Sequence, residues 1–270
     1  MESFHIFLPS NVRDFNGKNT IGNYVTPLPI PIKLDSEWEI GLTEILYTKT
    51  RYNVFEPVNL QLMTEDRALT IQVCSFSAGC YRDITNLINE INLCLEKLTN
   101  GIKGGEGRNY PPVVALSKQY RQIVVYPGNI SKKKTLPTFP PALLGLLGFS
   151  EYYRPEFTKE IEIDGKKIKG VMIAELPHDL KANINAFYVY CDIVKASVVG
   201  DSYTKLLRTV NIVPSDFGRS VQRIYDQPIY FPVDKKEFQT IEIDIKDDTG
   251  KTLQFESGRV QVVLHFRKIK

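Results

Sequence analysis

The closing stretch of the chain carries the clearest indication of its fold class. Residues 238–268 read FQTIEIDIKDDTGKTLQFESGRVQVVLHFRK, and from position 241 to 246 isoleucine alternates with Glu, Asp and Lys. Successive side chains of a strand point to opposite faces of its sheet, so this alternation predicts a strand with one buried face. RVQVVLHFRK predicts a second strand, and the polar residues between the two predict a turn.

The turn contains the triplet Asp248-Thr249-Gly250, which is also the signature of aspartic proteases. Those enzymes hold two Asp carboxylates close together, where they share a proton. Here Lys and Asp residues flank Asp248, and no second Asp-Thr-Gly or Asp-Ser-Gly occurs in the chain. Gly250 suits a tight turn instead, because glycine adopts positive φ without steric cost. We therefore interpret the triplet as the tip of a β-hairpin and predict no catalytic residue.

Composition and charge limit the classes of protein that remain. Of the 270 residues, 43% are hydrophobic and 24% are charged, as in an ordinary globular protein. The net charge of +3 is too small to indicate a specific nucleic-acid partner. The chain starts without the pattern of a secretion signal, and no apolar run approaches the ~18 residues of a membrane-spanning helix. We expect a protein made inside the cell, without a membrane span.

Cysteine and histidine spacing indicates neither a disulfide scaffold nor a metal site. The cysteines lack the Cys-x-x-Cys spacing of zinc ligands, and no histidine has another His or a Cys at ligand spacing. We expect reduced thiols, no metal and no cofactor. The residues concerned are Cys74, Cys80, Cys94, Cys191, His5, His178 and His265.

From about residue 155 the sequence predicts one short strand after another. EIEIDGKKIKGVMIAEL predicts a hairpin with Asp164-Gly165 at its turn. In AFYVYCDIV, residues 186–194, apolar residues alternate with a second set that includes Tyr188 and Tyr190. Short strands at this density, joined by polar turns, favour an antiparallel sandwich or a jelly roll, so the expected fold class is mainly β.

The first half of the chain predicts two helices. In YRDITNLINEINLCLEKL, residues 81–98, six apolar residues form one stripe at helical spacing. Asp83 or Thr85 can cap its start, and Thr99-Asn100-Gly101 ends it. A shorter helix is predicted in PPALLGLLGF, where Pro141 suits a first turn. Strands are expected on both sides of the longer helix: residues 69–74 before it, and VVALS and QIVVYPG after it.

Two N-terminal segments have unusual strand patterns. The stretch TPLPIPIKL, residues 26–34, is predicted to be extended but unable to lie in the middle of a sheet, since proline donates no hydrogen bond to a neighbouring strand. Between Trp38 and Tyr47 the apolar alternation changes parity. This shift predicts a β-bulge or a strand covered on both faces.

Arg208 stands out because it shares strand parity with Leu206, Val210 and Ile212. That parity would place a guanidinium group on an otherwise apolar face. Two interpretations stay open. The side chain could extend past the end of the strand into water, or it could form an ion pair with a neighbouring subunit.

Six stretches together resemble one family. They extend over nearly the whole chain in consistent order: FHIFLPSN, EWEIGLTEILY, GCYRDITNLINEIN, PPALLGLLGF, FYVYCDIVKASVVGDSYTKLLRTVNI and the closing FQTIEIDIKDDTGKTLQFESGRVQVVLHFRK. With them the sequence resembles the penton, or minor capsid, proteins of Maverick/Polinton elements and of their virophage and adintovirus relatives. It has no Arg-Gly-Asp loop, so the resemblance gives no support for receptor binding through such a motif.

The resemblance implies a single jelly-roll antiparallel β-sandwich with a small inserted α/β module. The jelly roll is expected in residues 1–55 and 155–270, and the module in residues 56–154. A jelly roll has eight strands. Eight are predicted outside the module, near residues 3–9, 37–48, 168–175, 186–194, 204–213, 227–233, 237–246 and 259–268.

The resemblance also implies a function without catalysis. Penton proteins of this family occupy the icosahedral vertices of the virion as homopentamers, next to a double-jelly-roll major capsid protein. Closing a five-fold ring requires head-to-tail contacts between two different surfaces of each subunit. Aromatic and Arg side chains away from the core are candidates for these contacts. They are Tyr188, Tyr190, Arg208 and Tyr225.

Two alternatives stay open. One is a lectin-like jelly roll that recognises glycans and is not part of a capsid, for which a pocket with exposed aromatic and carboxylate side chains is expected. The other is an enzyme on a β-sandwich, such as a protease that uses Asp248. Substitution of Asp248 would abolish activity in that enzyme, whereas it would change little in a hairpin turn.

Overall fold

The structure, a computed structural model, describes residues 2–12, 17–68, 72–102, 108–118, 120–163, 166–180, 186–212 and 219–269. The chain forms two compact units. We call the first, made of Met1–Tyr52 and Ile184–Lys270, the terminal unit. The second, Asn53–Asn183, is the inserted unit.

The described residues form twenty strands and two helices, so the fold is mainly β, as predicted. The terminal unit begins with β1 (Ser3–Pro9), β2 (Asn23–Lys33) and β3 (Trp38–Thr48). The inserted unit contains β4 (Val58–Thr64), β5 (Cys74–Phe76), α1 (Ile84–Gly101), β6 (Val113–Leu116), β7 (Ile123–Tyr126), β8 (Gly128–Ile130), β9 (Lys133–Thr138), α2 (Pro141–Leu147), β10 (Glu160–Ile163), β11 (Lys166–Lys169) and β12 (Met172–Ile173). The terminal unit resumes with β13 (Ala186–Cys191), β14 (Ser197–Val199), β15 (Ser202–Thr204), β16 (Leu206–Asn211), β17 (Ser220–Ile224), β18 (Tyr230–Pro232), β19 (Glu237–Lys246) and β20 (Val260–Lys268).

The terminal unit is a jelly roll. Its first sheet has the order β1-β20-β3-β17, with β18 also paired to β3, and its second sheet has the order β16-β13-β19-β2. All of these pairs are antiparallel. If the small β14–β15 hairpin and β18 are set aside, the first of the eight strands pairs with the last, the second with the seventh, the third with the sixth and the fourth with the fifth. This nested pairing, distributed over two sheets, defines the jelly roll.

Two of the eight jelly-roll strands differ from the sequence prediction. The strand expected near residues 168–175 belongs to the inserted unit, where β12 pairs with β7. Strand β2 is the jelly-roll strand that the eight predicted strands did not include. Its prolines had predicted an extended segment outside a sheet interior. It lies at the edge of the second sheet, where a residue without a backbone N–H is tolerated. The prediction near 227–233 found only β18, and β17 was missed.

The boundary of the inserted unit also differs from the expected one. Residues 155–183 were assigned to the jelly roll, but they lie with the inserted unit. Their strands explain why: β10 pairs only with β11 in a two-stranded sheet, and β12 completes the sheet β12-β7-β6. The predicted turn residues of the β10–β11 hairpin, Asp164-Gly165, lie outside the described residues.

A β-bulge, one of the two explanations predicted, lies where the apolar parity of β3 changes. Val263 of β20 pairs with Glu44, whereas the next residue, Leu264, pairs with Leu42. Thr43 is therefore the extra residue, and its hydroxyl donates a hydrogen bond to the carbonyl of Val263 at 3.1 Å. The bulge lets Leu42 and Ile45 both point into the sandwich, where each is fully buried.

A buried hydroxyl links the two sheets of the terminal unit. Tyr24 of β2 is 0% exposed, and its hydroxyl donates a hydrogen bond to the carbonyl of Leu8 in β1 at 2.9 Å. Burial raises the pKa of this phenol well above its usual value, so the group stays protonated and remains a donor. Between the same sheets, the rings of Tyr47 and Phe187 meet edge to face, with their centroids 5.0 Å apart.

The inserted unit has its own core around helix α1. All six apolar residues of the predicted stripe are buried, and the Asp83 carboxylate caps the helix by accepting a hydrogen bond from the Asn86 amide at 2.9 Å. The helix ends at Gly101, within the predicted cluster. Helix α2 begins at Pro141, as expected, and adds four buried leucines to the same core. Of the strand expected at 69–74, residues 69–71 lie outside the described part of the chain.

We predict that Tyr24→Phe lowers the free energy of unfolding by about 0.5–1.5 kcal/mol, because it removes a buried hydrogen bond between the two sheets. Urea denaturation of the purified chain measures this change. Tyr152→Phe is the matched control, since Tyr152 is 77% exposed, and we expect it to change the stability by less than about 0.5 kcal/mol. Equal effects of the two substitutions would contradict a structural role for the Tyr24 hydroxyl.

Candidate functional site

The outer face of the second sheet carries the two tyrosines that the sequence analysis selected. Along β13, Phe187, Val189 and Cys191 are buried in the sandwich, while Tyr188 and Tyr190 lie on the opposite face and are half-buried. This is the predicted alternation. In the pairing with β19, Tyr188 lies opposite Lys246 and Tyr190 opposite Asp244.

Lys246 is held between an aromatic ring and a carboxylate on this face. Its ammonium group lies 5.1 Å from the centroid of the Tyr190 ring and 3.3 Å from the carboxylate of Asp244. Both contacts favour a positive charge. The charge of Lys246 is thus balanced within the terminal unit.

Two turns form the walls of a groove above these tyrosines. One is the tip of the β14–β15 hairpin, a two-residue turn of Gly200 and Asp201 in which Gly200 has a φ of +63°. The other is the turn at residues 247–250 that follows β19. The groove has a volume of about 760 Å³, with Tyr188, Tyr190 and Lys246 at its base. A Gly in the first position of a two-residue hairpin is typical of the turn types that match strand twist.

The triplet Asp248-Thr249-Gly250 is a turn, as predicted. Asp248 is exposed, and Gly250 has a φ of +82°. The buried carboxylate is that of Asp247, which accepts hydrogen bonds from the Thr249 amide at 2.9 Å, the Thr249 hydroxyl at 2.7 Å and the Lys251 amide at 3.0 Å. Asp247 therefore holds the loop in shape. The sequence analysis missed this role, although Asp side chains in turns commonly accept a hydrogen bond from the backbone amide two residues on.

The chain after this turn does not form the expected strand paired with β19. Thr252 makes only a single bridge, to Lys246, and the chain then passes to β20. Strand β20 lies in the first sheet, whereas β19 lies in the second. The predicted hairpin is therefore a tight turn followed by a crossing between sheets, because the nested pairing places β19 and β20 in different layers.

Arg208 and Tyr225 form a pair of their own, away from the groove. Tyr188 pairs with Thr209, whereas Arg208 pairs with Val189 and so points to the other face of β16. The guanidinium carbon of Arg208 lies 3.9 Å from the centroid of the Tyr225 ring. One guanidinium nitrogen, Nη1, is buried and has no hydrogen-bond partner within the described part of the chain. Burial raises the pKa of Tyr225, and the charge of Arg208 opposes that shift.

The strand parity predicted for Arg208 holds toward Val210 but not toward Leu206. Arg208 and Val210 share a face, but a bulge at Leu207 shifts the pairing so that Leu206 lies opposite Tyr190. Leu207 is the residue that is buried instead. Neither of the two open interpretations of Arg208 includes its stacking on the Tyr225 ring. Tyr225 lies directly after β17, the next strand along the chain.

Exposed apolar side chains form two patches that the sequence analysis did not identify. The hairpin patch is Val198 and Tyr203, which pair directly across β14 and β15 and are 76% and 70% exposed. The edge patch is Ile224 and Ile229, 65% and 55% exposed, on either side of Tyr225 in the chain. The strands beside the edge patch, β17 and β18, both pair with β3. Large exposed apolar side chains of this kind are candidates for contact surfaces.

Two histidines that are remote in sequence meet on the first sheet. His5 and His265 lie opposite each other on β1 and β20, with ring centroids 4.4 Å apart. The hydroxyl of Tyr230 lies 2.7 Å from Nδ1 of His265. Burial lowers the pKa of His265, and the charges of His5 and Arg267 add to this effect. Among the described residues no group of three or more His, Cys, Asp or Glu is placed to hold a metal ion.

The fold and this surface define the chain as a jelly-roll protein with an inserted α/β unit. No protein-family model matches the sequence, and no curated protein sequence matches it either. Among solved structures, the chain is similar to a mavirus penton protein, with 13% identity, a TM-score of 0.47, and coverage of 98% of this chain and 100% of the other. It is also similar to a chain in the structure of the Sputnik virophage, with 11% identity, a TM-score of 0.48, and coverage of 99% and 98%.

Both TM-scores are below 0.5, and both identities are below 25%. No helix in the described ranges is long and apolar enough to cross a membrane.

We predict that Asp247→Ala lowers the free energy of unfolding by about 1–2 kcal/mol, because three hydrogen bonds that hold the turn lose their buried acceptor. Asp248→Ala is the matched control one residue away, and we expect a change below about 0.5 kcal/mol because its carboxylate is exposed. Urea denaturation measures both. A larger effect of Asp248→Ala than of Asp247→Ala would contradict the assignment of Asp247 as the residue that holds the turn.

Proposed function

We propose that the chain is a structural protein of a viral capsid, a penton capsomer that occupies the icosahedral vertices as a homopentamer next to a double-jelly-roll major capsid protein. The nested strand pairing of the terminal unit is the observation that carries the proposal, because jelly rolls recur in viral capsid domains. The resemblance of six sequence stretches to penton proteins supports it independently of the strand pairing. On this proposal the protein resides at the capsid vertex of the virion.

A five-fold ring needs two different surfaces on each subunit, one for each neighbour. The hairpin patch and the edge patch are suited to these roles, because they lie on different strands and expose large apolar side chains. We propose that the hairpin patch of one copy packs against the edge patch of the next. The Arg208–Tyr225 pair lies beside Ile224 and would take part in that contact, as Tyr and Arg do at the centres of many interfaces.

The hairpin itself supports a contact of this kind. Strands β14 and β15 form a two-stranded sheet that is not part of either sandwich layer. An isolated two-stranded hairpin is only marginally stable in water, so packing against another surface would stabilise it. Val198 and Tyr203 are the residues that such packing would cover, and both are apolar enough to gain from burial.

The exposure of Asp248, the residue considered for catalysis, also agrees with a structural role. Asp248 is exposed at the tip of a turn, whereas a shared proton between two carboxylates requires that they lie against each other. We propose a protein that acts by assembly and without a cofactor.

The assembly can be tested by mass photometry and negative-stain imaging of the purified chain at high protein concentration. We expect rings with five times the monomer mass of 30.8 kDa. Tyr203→Asp in the hairpin patch and Ile224→Asp in the edge patch should each weaken association by about 2 kcal/mol or more, because a charge replaces an apolar side chain at a contact centre.

Ile30→Asp is the matched control, because Ile30 is 72% exposed on β2 and belongs to neither patch. It should leave the rings intact. A strictly monomeric wild-type chain would refute the homopentamer. Rings that survive both Tyr203→Asp and Ile224→Asp would refute the two patches as the contact surfaces.

A further inference from the structure

We propose that the groove above Tyr188 and Tyr190 is a binding site for an uncharged saccharide. This inference goes beyond the proposed capsid role and does not depend on it. It rests on the size of the groove, its aromatic base, its polar rims and its balance of charge. Tyr188 and Tyr190 are also candidates for a subunit contact, so a second copy of the chain is the competing occupant.

The size and base of the groove suit a small ligand. Its volume of about 760 Å³ lies in the range of roughly 300–1,000 Å³ that is common for small-molecule sites. Tyr188 and Tyr190 are two residues apart on one strand face, which separates their positions by about 7 Å along β13. Neither phenol hydroxyl makes a hydrogen bond within the part of the chain that the structure describes, so both can donate to and accept from a ligand.

The rims of the groove supply further polar groups. Ser202 and Thr204 line it on the hairpin side, and Thr249 lines it on the side of the Asp247 turn. The Thr204 hydroxyl oxygen is buried and has no hydrogen-bond partner among the described residues. A ligand with many hydroxyl groups can bind to such donors and acceptors, while its C–H faces pack on the tyrosine rings.

The two lysines of the groove are already neutralised. Lys246 forms an ion pair with Asp244 at 3.3 Å. Lys205 forms an ion pair with Asp234 at 2.9 Å. Their charges therefore offer little net attraction to a phosphate, sulfate or carboxylate group on a ligand.

The remaining charges of the groove disfavour an anionic ligand, and Lys246 already occupies the position that a cation would take over the Tyr190 ring. Asp201 and Asp248 stand exposed, one on each rim, and would repel an anion. A cation would compete with Lys246, whose ammonium group already lies 5.1 Å from the Tyr190 ring. An uncharged, hydroxyl-rich ligand with apolar faces is neither repelled by these carboxylates nor in competition with Lys246.

The binding can be tested by isothermal titration calorimetry on the full chain with cellohexaose, chitohexaose and mannohexaose, and with a heparin hexasaccharide as the anionic comparison. We expect saturable binding of at least one neutral hexaose and none of heparin. Tyr188→Ala and Tyr190→Ala should each weaken that binding by about tenfold or more, because stacking area is lost. Tyr190→Phe, which keeps the ring, should weaken it by only a few-fold.

Tyr110→Ala is the matched control, since Tyr110 is an exposed tyrosine of the inserted unit, and it should bind as the wild type does. Urea denaturation of each variant shows whether it is folded. Absence of binding to all three neutral hexaoses, binding of heparin alone, or unchanged binding in both alanine variants would overturn the proposal.

Mass photometry of the same variants separates this proposal from the proposed function. If Tyr188→Ala or Tyr190→Ala dissolves a wild-type ring, the tyrosines are subunit contacts and the saccharide site is refuted. A chain that is always monomeric but binds a neutral hexaose through these tyrosines would refute the homopentamer and support the site.

Discussion

The jelly roll depends on its last strand. Strand β20 lies between β1 and β3 and pairs with both, so the first sheet cannot form until the C-terminal end of the chain has returned to the N-terminal strand. The same nesting brings β19 next to β2. The inserted unit adds chain between β3 and β13, but the entropy of closing a loop grows only slowly with loop length, so a compact insertion is tolerated there. Such non-local pairing is typical of β-sandwiches, which fold slowly for this reason.

The sandwich uses the inner faces of its sheets for its own core and leaves the outer faces for other molecules. On the second sheet the outer face carries Tyr188 and Tyr190 between two turns, and each turn is kept in shape by local features: Gly200 in one and the Asp247 carboxylate in the other. The hairpin that forms one wall also exposes Val198 and Tyr203 on β14 and β15. The proposed ligand site and the proposed subunit contact thus share the β14–β15 hairpin.

Much of the fold could be predicted because the responsible forces act between neighbours in sequence. The apolar stripe of α1 and the alternation of Tyr188 and Tyr190 with buried residues were predicted, since helix and strand periodicity decide which side chains share a face. Asp83 was one of two predicted caps of α1. The parity change in β3 likewise indicated its bulge. The errors occurred where local preference opposed tertiary context. The prolines of β2 predicted an extended segment outside a sheet interior, so β2 was not counted among the eight strands. At the sheet edge the missing N–H donors are not needed for pairing.

By itself, the sequence determined the fold class, the faces of most strands, the helical core of the inserted unit and the turn at Asp248. Only the tertiary structure decided which faces meet. It placed residues 155–183 in the inserted unit, stacked His5 on His265, set Arg208 on Tyr225 and formed a groove from two turns that are about fifty residues apart. The physical reason is that periodicity fixes the direction of each side chain relative to its own strand. The partner it meets depends on pairings between distant strands, which no local pattern records.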